Sequence, residues 1–260
     1  MLTVTSKDNA NIKNTVKLKK SAKYRRELGE FVAEGLRVCI DAMLSNATIT
    51  CLYATENAAE KHGDEFLKLS NYAQKTILVS SSVFSLISDT QTPQGFLCTI
   101  KALDKTSQFD TIKNDSKFLA LDNVQDPNNL GTILRSAEAL GIDGVVLSDD
   151  CCDIYSPKVV RGSMGAVFRM PFLVCNTIAQ FIDEHSTLNF YAAVVSSDAQ
   201  KITQTVFKMP CVAVIGNEGN GLKSDTIAAC KTHITIPMNG KAESLNASVA
   251  ASIIMWEMVK

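Results

Sequence analysis

The feature that most constrains the fold is a regular alternation of apolar strands and helices in the second half of the chain. The pattern predicts strands at residues 118–121, 144–147, 190–195, 211–215 and 234–236, and helices at 130–140, 157–166, 177–184, 224–229 and 247–259. Apolar strands separated by helices favour a mostly parallel sheet that helices cover on both faces. The predicted fold class is therefore α/β, and a hydrophobic content of 46% supplies a substantial core.

The first half of the chain is predicted to form a smaller α/β region. A helical stretch is expected from Asp8 to about Ser45, with an apolar stripe that runs from Phe31 to Met43. Further strands are predicted at 49–54, 76–79 and 94–100, and helices at 58–69 and 80–87. Because the polar segment 104–116 has the composition of a linker, we predict two domains, at residues 1–103 and 117–260.

Basic residues are concentrated at the N-terminus, although the net charge of the chain is only −1. Besides Lys7, the candidates for contacts with a polyanion are Lys13, Lys17, Lys19, Lys20, Lys23, Arg25 and Arg26, and Asp8 is the one acid among residues 1–26. This pattern favours binding to phosphate groups. The alternative is an ordinary solvated helix face.

Cysteine and histidine usage gives no sign of a metal site. The 8 cysteines lack paired C-x-x-C spacing and the 3 histidines are scattered, so no zinc site is expected. The basic N-terminus lacks the apolar core of a signal peptide, and no apolar run approaches the roughly 20 residues of a membrane span. We expect a reduced cytoplasmic protein with no membrane partner, whose cysteines act as small buried hydrophobes.

The first of three candidate functional segments runs from Asp126 to Gly131. The segment ends a strand–loop and begins a helix, for which Asn129 is the predicted N-cap and Gly141 the residue after the C-cap. Arg135 is predicted on the polar face, where a guanidinium is suited to binding a phosphate or acting on a hydroxyl. The alternative is a solvated surface arginine.

The other two segments follow later strands. Residues 216–221 form a glycine-rich turn that matches neither a P-loop nor the G-x-G-x-x-G pattern, and Glu218 within it is suited to accept from a hydroxyl or an amine. The third segment combines an apolar lip at Ile236 and Met238 with Ser244-Leu245-Asn246. Ser244 and Asn246 are natural helix caps. Backbone groups around Ile236 and Leu245 are also suited to holding a flat heteroaromatic ring.

In order and spacing, these three segments resemble the three motifs of the SpoU (TrmH) family of RNA 2′-O-ribose methyltransferases, in the SPOUT class. The resemblance covers residues 117–260. Residues 1–100, including Glu34-Gly35 and the run 92–95, look like the family's N-terminal substrate-binding domain, a small ribosomal-protein-like α/β module. One departure is Asn128, where many members have glycine.

The resemblance implies an S-adenosylmethionine site inside a C-terminal trefoil knot, and an obligate homodimer. Cofactor-binding residues are expected at Gly216, Ile236, Met238 and Leu245, and catalytic residues at Asn129, Arg135, Glu218, Ser244 and Asn246. Asn129 and Arg135 are expected to face the ribose. Since free arginine is a very weak base, Arg135 is expected to bind phosphate and stabilise the developing alkoxide rather than to remove a proton.

The implied activity is methylation of a ribose 2′-hydroxyl in RNA, with large-subunit ribosomal RNA the favoured substrate. Three alternatives stay open from the sequence. They are the same reaction on transfer RNA, a non-catalytic RNA- or ribosome-binding factor on the same fold, and a nucleotide-dependent small-molecule enzyme on a doubly wound sheet.

Overall fold

The computed structural model describes residues 3–109 and 112–260. In the first of these ranges the elements are β1 (Thr3–Val4), α1 (Ala10–Lys20), α2 (Ala22–Leu28), β2 (Glu30–Glu34), α3 (Leu36–Leu44), β3 (Ile49–Thr55), α4 (Glu56–Lys61), α5 (Gly63–Tyr72), β4 (Thr76–Val79), α6 (Ser81–Ile87), β5 (Phe96–Lys101) and a 3₁₀ turn (Thr106–Phe109). In the second range they are β6 (Lys117–Leu121), α7 (Pro127–Ala139), β7 (Gly144–Ser148), α8 (Pro157–Gly162), α9 (Ala166–Arg169), β8 (Phe172–Cys175), α10 (Ile178–Glu184), β9 (Asn189–Ala193), β10 (Gln200–Lys201), a 3₁₀ turn (Ile202–Gln204), β11 (Cys211–Ile215), α11 (Ser224–Ala229), β12 (Thr232–Thr235) and α12 (Ala247–Val259).

The chain divides into two compact units. The first unit comprises the residues up to Leu103 together with Asp153–Phe168, and the second unit comprises Asp104–Cys152 and Arg169–Lys260. The segment 153–168 lies in sequence within the predicted domain 117–260. In the first unit, Asp153 pairs with Arg25 at 2.6 Å and Tyr155 stacks on Phe31 with ring centroids 4.4 Å apart.

The second unit is built on a seven-stranded sheet in the order β10-β12-β9-β11-β6-β7-β8, in which every pair is parallel. Val212 and Val214 of β11 pack into a cluster with apolar residues of α10, while α7 and α12 pack against the opposite face. The prediction of an α/β fold with a covered parallel sheet is confirmed. In this arrangement the carboxyl ends of the strands share one edge, where the loops after β6, β9, β11 and β12 converge.

The first unit contains a mixed five-stranded sheet in the order β1-β4-β3-β5-β2. The prediction of a continuous helical stretch from Asp8 to Ser45 is wrong, because it contains α1, α2, β2 and α3. Gly29 ends α2 in the left-handed region at φ +64°, and Gly35 adopts φ +106° before α3. Phe31, Val32 and Ala33 are all buried, as expected for a strand covered on both faces rather than for one helical stripe.

Two smaller differences separate the structure from the predicted elements. The predicted helix 157–166 is two helices, since Met164 and Gly165 adopt φ values of +50° and +86° between α8 and α9. The short strands β1, β8 and β10 were not predicted. Within the described residues, no helix has both the length and the hydropathy that a membrane crossing requires.

Candidate functional site

A cavity of about 430 Å³ lies in the second unit at the carboxyl ends of β9, β11 and β12. This edge of a parallel sheet is where ligands bind in open α/β folds. The residues lining the cavity include Gly216, Glu218, Ile236, Met238, Ser244 and Leu245, all of which were predicted to contribute to the site. Asn129, Arg135 and Asn246 do not line it.

The glycine-rich loop after β11 is shaped by the side chain of Asn217. Asn217 Oδ1 accepts hydrogen bonds from the backbone N–H groups of Gly219 at 2.9 Å and Asn220 at 3.0 Å. The backbones of Asn217 and Gly221 also exchange two hydrogen bonds, which close the turn. A Cβ atom on Gly216 would lie 2.2 Å from the carbonyl carbon of Gly221, so only glycine permits this close approach.

Two further contacts fasten this loop to the end of β6. Asn217 Nδ2 donates to the carbonyl of Asn123 at 2.8 Å, and the backbone N–H of Lys223 donates to Asp122 Oδ2 at 3.1 Å. Asp122 is fully buried, and its other oxygen lies 3.5 Å from the ammonium of Lys223. That ammonium also binds Asp150 at 2.7 Å, and the hydrogen bond with Asp150 is the main cause that raises the pKa of Lys223.

Three polar side chains from different segments form a hydrogen-bonded chain beside the loop. Asn129 Nδ2 donates to Glu218 Oε1 at 2.8 Å, and Asn246 Nδ2 donates to Asn129 Oδ1 at 2.9 Å. The orientation of the Asn129 amide is fixed because the Glu218 carboxylate requires a donor. Asn246 Oδ1 in turn accepts from the N–H of Ser248 at 2.9 Å and so caps α12. The three predicted motifs therefore meet through Glu218, Asn129 and Asn246.

Glu218 is held as a carboxylate. Partial burial raises the pKa of Glu218, but the hydrogen bonds that it accepts from Asn129 and from backbone N–H groups, including those of Asp126 and Gln125, outweigh this effect. The net pKa lies below the ordinary value. An ionised Glu218 accepts hydrogen bonds only, which suits it to orienting its neighbours.

The predicted helix start at Asn129 is wrong, because the N-cap of α7 is Asp126. Asp126 accepts from the N–H of Asn128 at 2.8 Å, and Pro127 occupies the first helical position, where its missing N–H costs nothing. Asn129 is consequently inside the first turn and only 5% exposed. Its burial and its two side-chain partners favour a positioning role over direct contact with a ribose.

Arg135 lies on the exposed face of α7, whereas Leu130, Ile133 and Leu134 form the fully buried face of the same helix. Its guanidinium forms no hydrogen bond or ion pair among the described residues, so its five N–H donors are available to an external group. Ser244 is also exposed. The second unit thus contains a cavity, a fixed carboxylate–amide chain beside it and, on α7, one exposed guanidinium.

The model of the SpoU rRNA Methylase family matches residues 116–256 of this chain. The chain belongs to that family. A second model, the MRM3-like substrate binding domain, matches residues 9–98 of the same SpoU methylase.

Individual relatives cover nearly the whole SpoU methylase. A putative TrmH family tRNA/rRNA methyltransferase of Staphylococcus saprophyticus is 30% identical over 89% of this chain and 96% of its own. The 23S rRNA (guanosine(2553)-2′-O)-methyltransferase RlmP of Bacillus subtilis is 27% identical over 99% of each chain. The crystal structure of an AdoMet-bound rRNA methyltransferase from Sinorhizobium meliloti is 28% identical, covers 99% of this chain and 97% of its own, and superposes with a TM-score of 0.86.

The basic N-terminal residues of this SpoU methylase are not equivalent. Lys13, Lys17, Lys20, Lys23 and Arg26 are exposed, although Lys13 pairs with Asp8 and Lys23 with Glu27. The ammonium of Lys19 donates to the carbonyls of Leu86 and Ser88 at 2.8 and 2.6 Å, and burial lowers its pKa.

Arg25 is a correction to the predicted RNA-binding set. Only 6% of its side chain is exposed, and its guanidinium is paired with Asp153 and bonded to the carbonyl of Leu18 at 2.5 Å. A buried arginine whose donors are occupied is not available to a phosphate. The ion pair with Asp153 therefore accounts for the position of Arg25 without any ligand.

Sequence reasoning missed two contributors to the site of this SpoU methylase. Asn217 organises the glycine-rich loop, and asparagine at the start of a glycine-rich turn is a recognisable sign of such a role. Ala193, Val194 and Val195 line the cavity at the end of β9. Their position follows from strand order, because β9 lies between β11 and β12 in the sheet.

Proposed function

We propose that the chain transfers a methyl group from S-adenosylmethionine to a ribose 2′-hydroxyl of large-subunit ribosomal RNA. SpoU methylases are RNA methyltransferases, and this chain is an enzyme of that family that uses S-adenosylmethionine. The observation that carries the proposal is the hydrogen-bonded chain Glu218–Asn129–Asn246 beside the cavity after β11. It joins all three sequence motifs at one place.

The residues around the cavity fit the cofactor. The close approach of Gly216 to Gly221 fixes the shape of the loop that borders the cavity, and Ile236, Met238 and Leu245 offer an apolar lip for a flat ring. When bound, S-adenosylmethionine supplies an activated methyl group on a sulfonium. The protein therefore needs to orient the acceptor hydroxyl and stabilise the charge that develops on it.

The proposed division of labour follows from exposure and hydrogen bonding. Arg135, whose guanidinium is exposed and uncommitted, binds the phosphate next to the target ribose and stabilises the developing alkoxide. Glu218 fixes Asn129, which in turn holds Asn246 at the start of α12. Ser244, on the exposed rim of the cavity, is proposed to contact the ribose.

Ribosomal RNA is favoured over transfer RNA by two findings. The relative from Bacillus subtilis is named as a 23S rRNA 2′-O-methyltransferase and matches 99% of this chain. The family model that matches residues 116–256 is also described as an rRNA methylase. A cytoplasmic location is part of this proposal, since that is where bacterial relatives meet ribosomal RNA.

The test is transfer of labelled methyl from S-adenosylmethionine to purified RNA, followed by mapping of 2′-O-methyl positions. Ribosomal RNA from cells that lack the protein should accept the label at one position, and transfer RNA should not. If transfer RNA alone is labelled, transfer RNA rather than ribosomal RNA is the substrate. Cofactor and RNA binding without any transfer would instead favour a non-catalytic factor.

Neutralising the exposed N-terminal lysines tests the proposed RNA contacts. We expect Lys17→Gln, Lys20→Gln and Lys23→Gln together to weaken ribosomal RNA binding and to reduce the slope of log affinity against log salt by about 2 to 3, since each lost phosphate contact removes about 0.7–0.9. Affinity for S-adenosylmethionine should not change. The matched control replaces three exposed lysines of the second unit, Lys201, Lys208 and Lys231. Equal losses of RNA affinity in both triple variants would show that the lysines of α1 and α2 contribute no more to RNA binding than other exposed lysines.

The homodimer and the knot also remain proposals. The helix α12 is apolar around most of its circumference, with Glu257 its one charged residue, which is typical of a helix that is buried all round. Ala251, Ile254 and Met255 are buried, yet Val249 and Trp256 remain 47% and 57% exposed. We propose that a second copy of the chain covers this face. The proposed knot is consistent with β12 pairing with β9 on the side away from β11.

A charged substitution on α12 tests the dimer. Trp256→Glu should convert a dimer into a monomer in light scattering coupled to size-exclusion chromatography, because a carboxylate is costly to bury in an apolar interface. Val174→Glu is the matched control, since Val174 is 52% exposed and lies on the edge strand β8. A monomeric wild-type protein, or a Trp256→Glu variant that stays dimeric, would contradict the proposal.

A further inference from the structure

A second cleft, of about 670 Å³, lies entirely within the first unit. It is bordered by the start of α3, by α4, by α6 and by the segment 93–95. Its volume is in the range of about 300–1,000 Å³ that is typical of ligand pockets. None of the motifs of the proposed methyl-transfer site contributes to it.

The shape of this cleft depends on a close backbone approach at Gly95. Gly95 adopts φ +82°, and a Cβ atom there would lie 2.6 Å from both Ala58 Cβ and Thr55 Oγ1. The carbonyl of Gly95 accepts from the N–H of Thr55 at 3.0 Å. This approach sets the segment 93–95 against the start of α4 and leaves the space beside it open.

One polar side chain in the cleft has a fixed orientation. Gln94 Oε1 accepts from the N–H of Leu36, at the start of α3, at 3.2 Å. That N–H otherwise lacks a capping side chain, because the N-cap residue is Gly35. With its oxygen engaged, Gln94 presents its NH₂ group as a donor.

The charge around the cleft is positive. Arg37, Lys61 and His62 line it, and none of their three side chains forms a hydrogen bond or ion pair among the described residues. No carboxylate is found among the described residues that line it. The nearby Glu34 is occupied, since it accepts from Thr90 Oγ1 at 2.6 Å and from the N–H of Asp89 at 2.6 Å. Uncompensated cations around a concave surface attract an anion.

The cleft has an apolar floor, and the imidazole ring of His62 beside it is held in a fixed position. Leu36, Ile40, Ala58 and Phe84 contribute to its lining. The imidazole of His62 is held edge-on to the ring of Phe96, with centroids 6.1 Å apart at 71°. Unstacked RNA bases are recognised by this combination of flat or apolar surface, amide donor and cationic side chain.

We propose that this cleft binds one unpaired nucleotide of the RNA substrate, with its base over the apolar floor and a phosphate at Arg37 and Lys61. The inference rests on the proposed function for the class of substrate. It adds to the lysines of α1 and α2 another point of RNA contact in the first unit, one that selects RNA by an exposed base rather than by charge alone.

The test compares three variants of the full-length protein, with an unmodified large-subunit ribosomal RNA transcript as the probe. The double variant Arg37→Ala, Lys61→Ala should lower RNA affinity at least tenfold and reduce the salt slope by about 0.7, the value for one phosphate contact to a single strand. The matched control, Lys68→Ala with Lys101→Ala, removes two exposed lysines of the first unit that do not line the cleft. It should change affinity less than threefold.

A third variant separates occupancy of the cleft from its charge. Ser85 is exposed and lines the cleft, so Ser85→Trp fills the space without removing a cation. We expect it to lower RNA affinity about tenfold with an unchanged salt slope and an unchanged melting temperature. Affinity for S-adenosylmethionine should be the same in all variants.

Two results would overturn the inference. Equal losses in the double variant and its control would leave only general electrostatic attraction, and wild-type affinity in Ser85→Trp would show that no base enters the cleft. Methyl transfer by the wild-type protein to the same transcript reports on the proposed function separately. If wild type transfers methyl while the cleft variants bind normally, only the inference fails. If wild type neither binds nor methylates the transcript, both fail.

Discussion

Replacing Arg135 with alanine should lower the rate of methyl transfer to RNA by about 10²–10³-fold, the usual cost of removing one donor that stabilises developing charge. The reason is that Arg135 is exposed on α7 and has no partner among the described residues, so its guanidinium is free to act on the substrate. The measurement is single-turnover transfer of labelled methyl to ribosomal RNA, with cofactor affinity determined by calorimetry.

The control for this prediction is Arg135→Lys, which keeps the charge but loses the planar fork of donors. We expect partial activity from this variant, with a greater loss in turnover than in RNA binding. S-adenosylmethionine should bind both variants with wild-type affinity, because Arg135 does not line the cavity. Near-normal turnover in Arg135→Ala would refute its assigned role.

Replacing Gly216 with alanine should weaken binding of S-adenosylmethionine by about 10- to 100-fold, which corresponds to roughly 1.4–2.7 kcal/mol. The added methyl group would lie 2.2 and 2.3 Å from backbone atoms of Gly221 and Leu222, so the loop has to move. Calorimetric titration with the cofactor measures the loss directly.

Gly219→Ala is the matched control in the same loop. The atom nearest to its added Cβ is Asn217 Oδ1 at 3.7 Å, which is ordinary contact. We expect cofactor affinity within about threefold of wild type, since the substitution creates no steric conflict. Equal effects of the two substitutions would show that general loop mutation, rather than the close approach at Gly216, determines binding.

The sheet of the second unit was largely predictable because its strands are short apolar runs separated by amphipathic helices. The bounds of β11, α11 and α12 agree with the predicted ranges. The strand β2 was missed because Phe31, Val32 and Ala33 also fit a helical stripe, although Gly29 ends α2 and Gly35 precedes α3. Local periodicity alone does not separate these two possibilities.

The candidate site was predictable as a set of segments and not as a network. Asn129 and Glu218 are 89 residues apart in sequence, and Asn129 and Asn246 are 117 apart, so no local pattern reveals that they bond to each other. For the same reason, the N-terminal charge pattern gave no sign that Arg25 is buried against Asp153. Tertiary partners decide which charged residues remain available to a ligand.

The loop of residues 216–222 has a consequence for how a ligand enters. Asn217 ties it internally and to Asn123, and the N–H of Lys223 ties its end to Asp122. Because these hydrogen bonds form without a ligand, the loop loses little conformational entropy when a ligand binds. This preorganisation favours affinity. Uptake of the methyl donor should then proceed in one kinetic phase, with no slow rearrangement of the pocket wall.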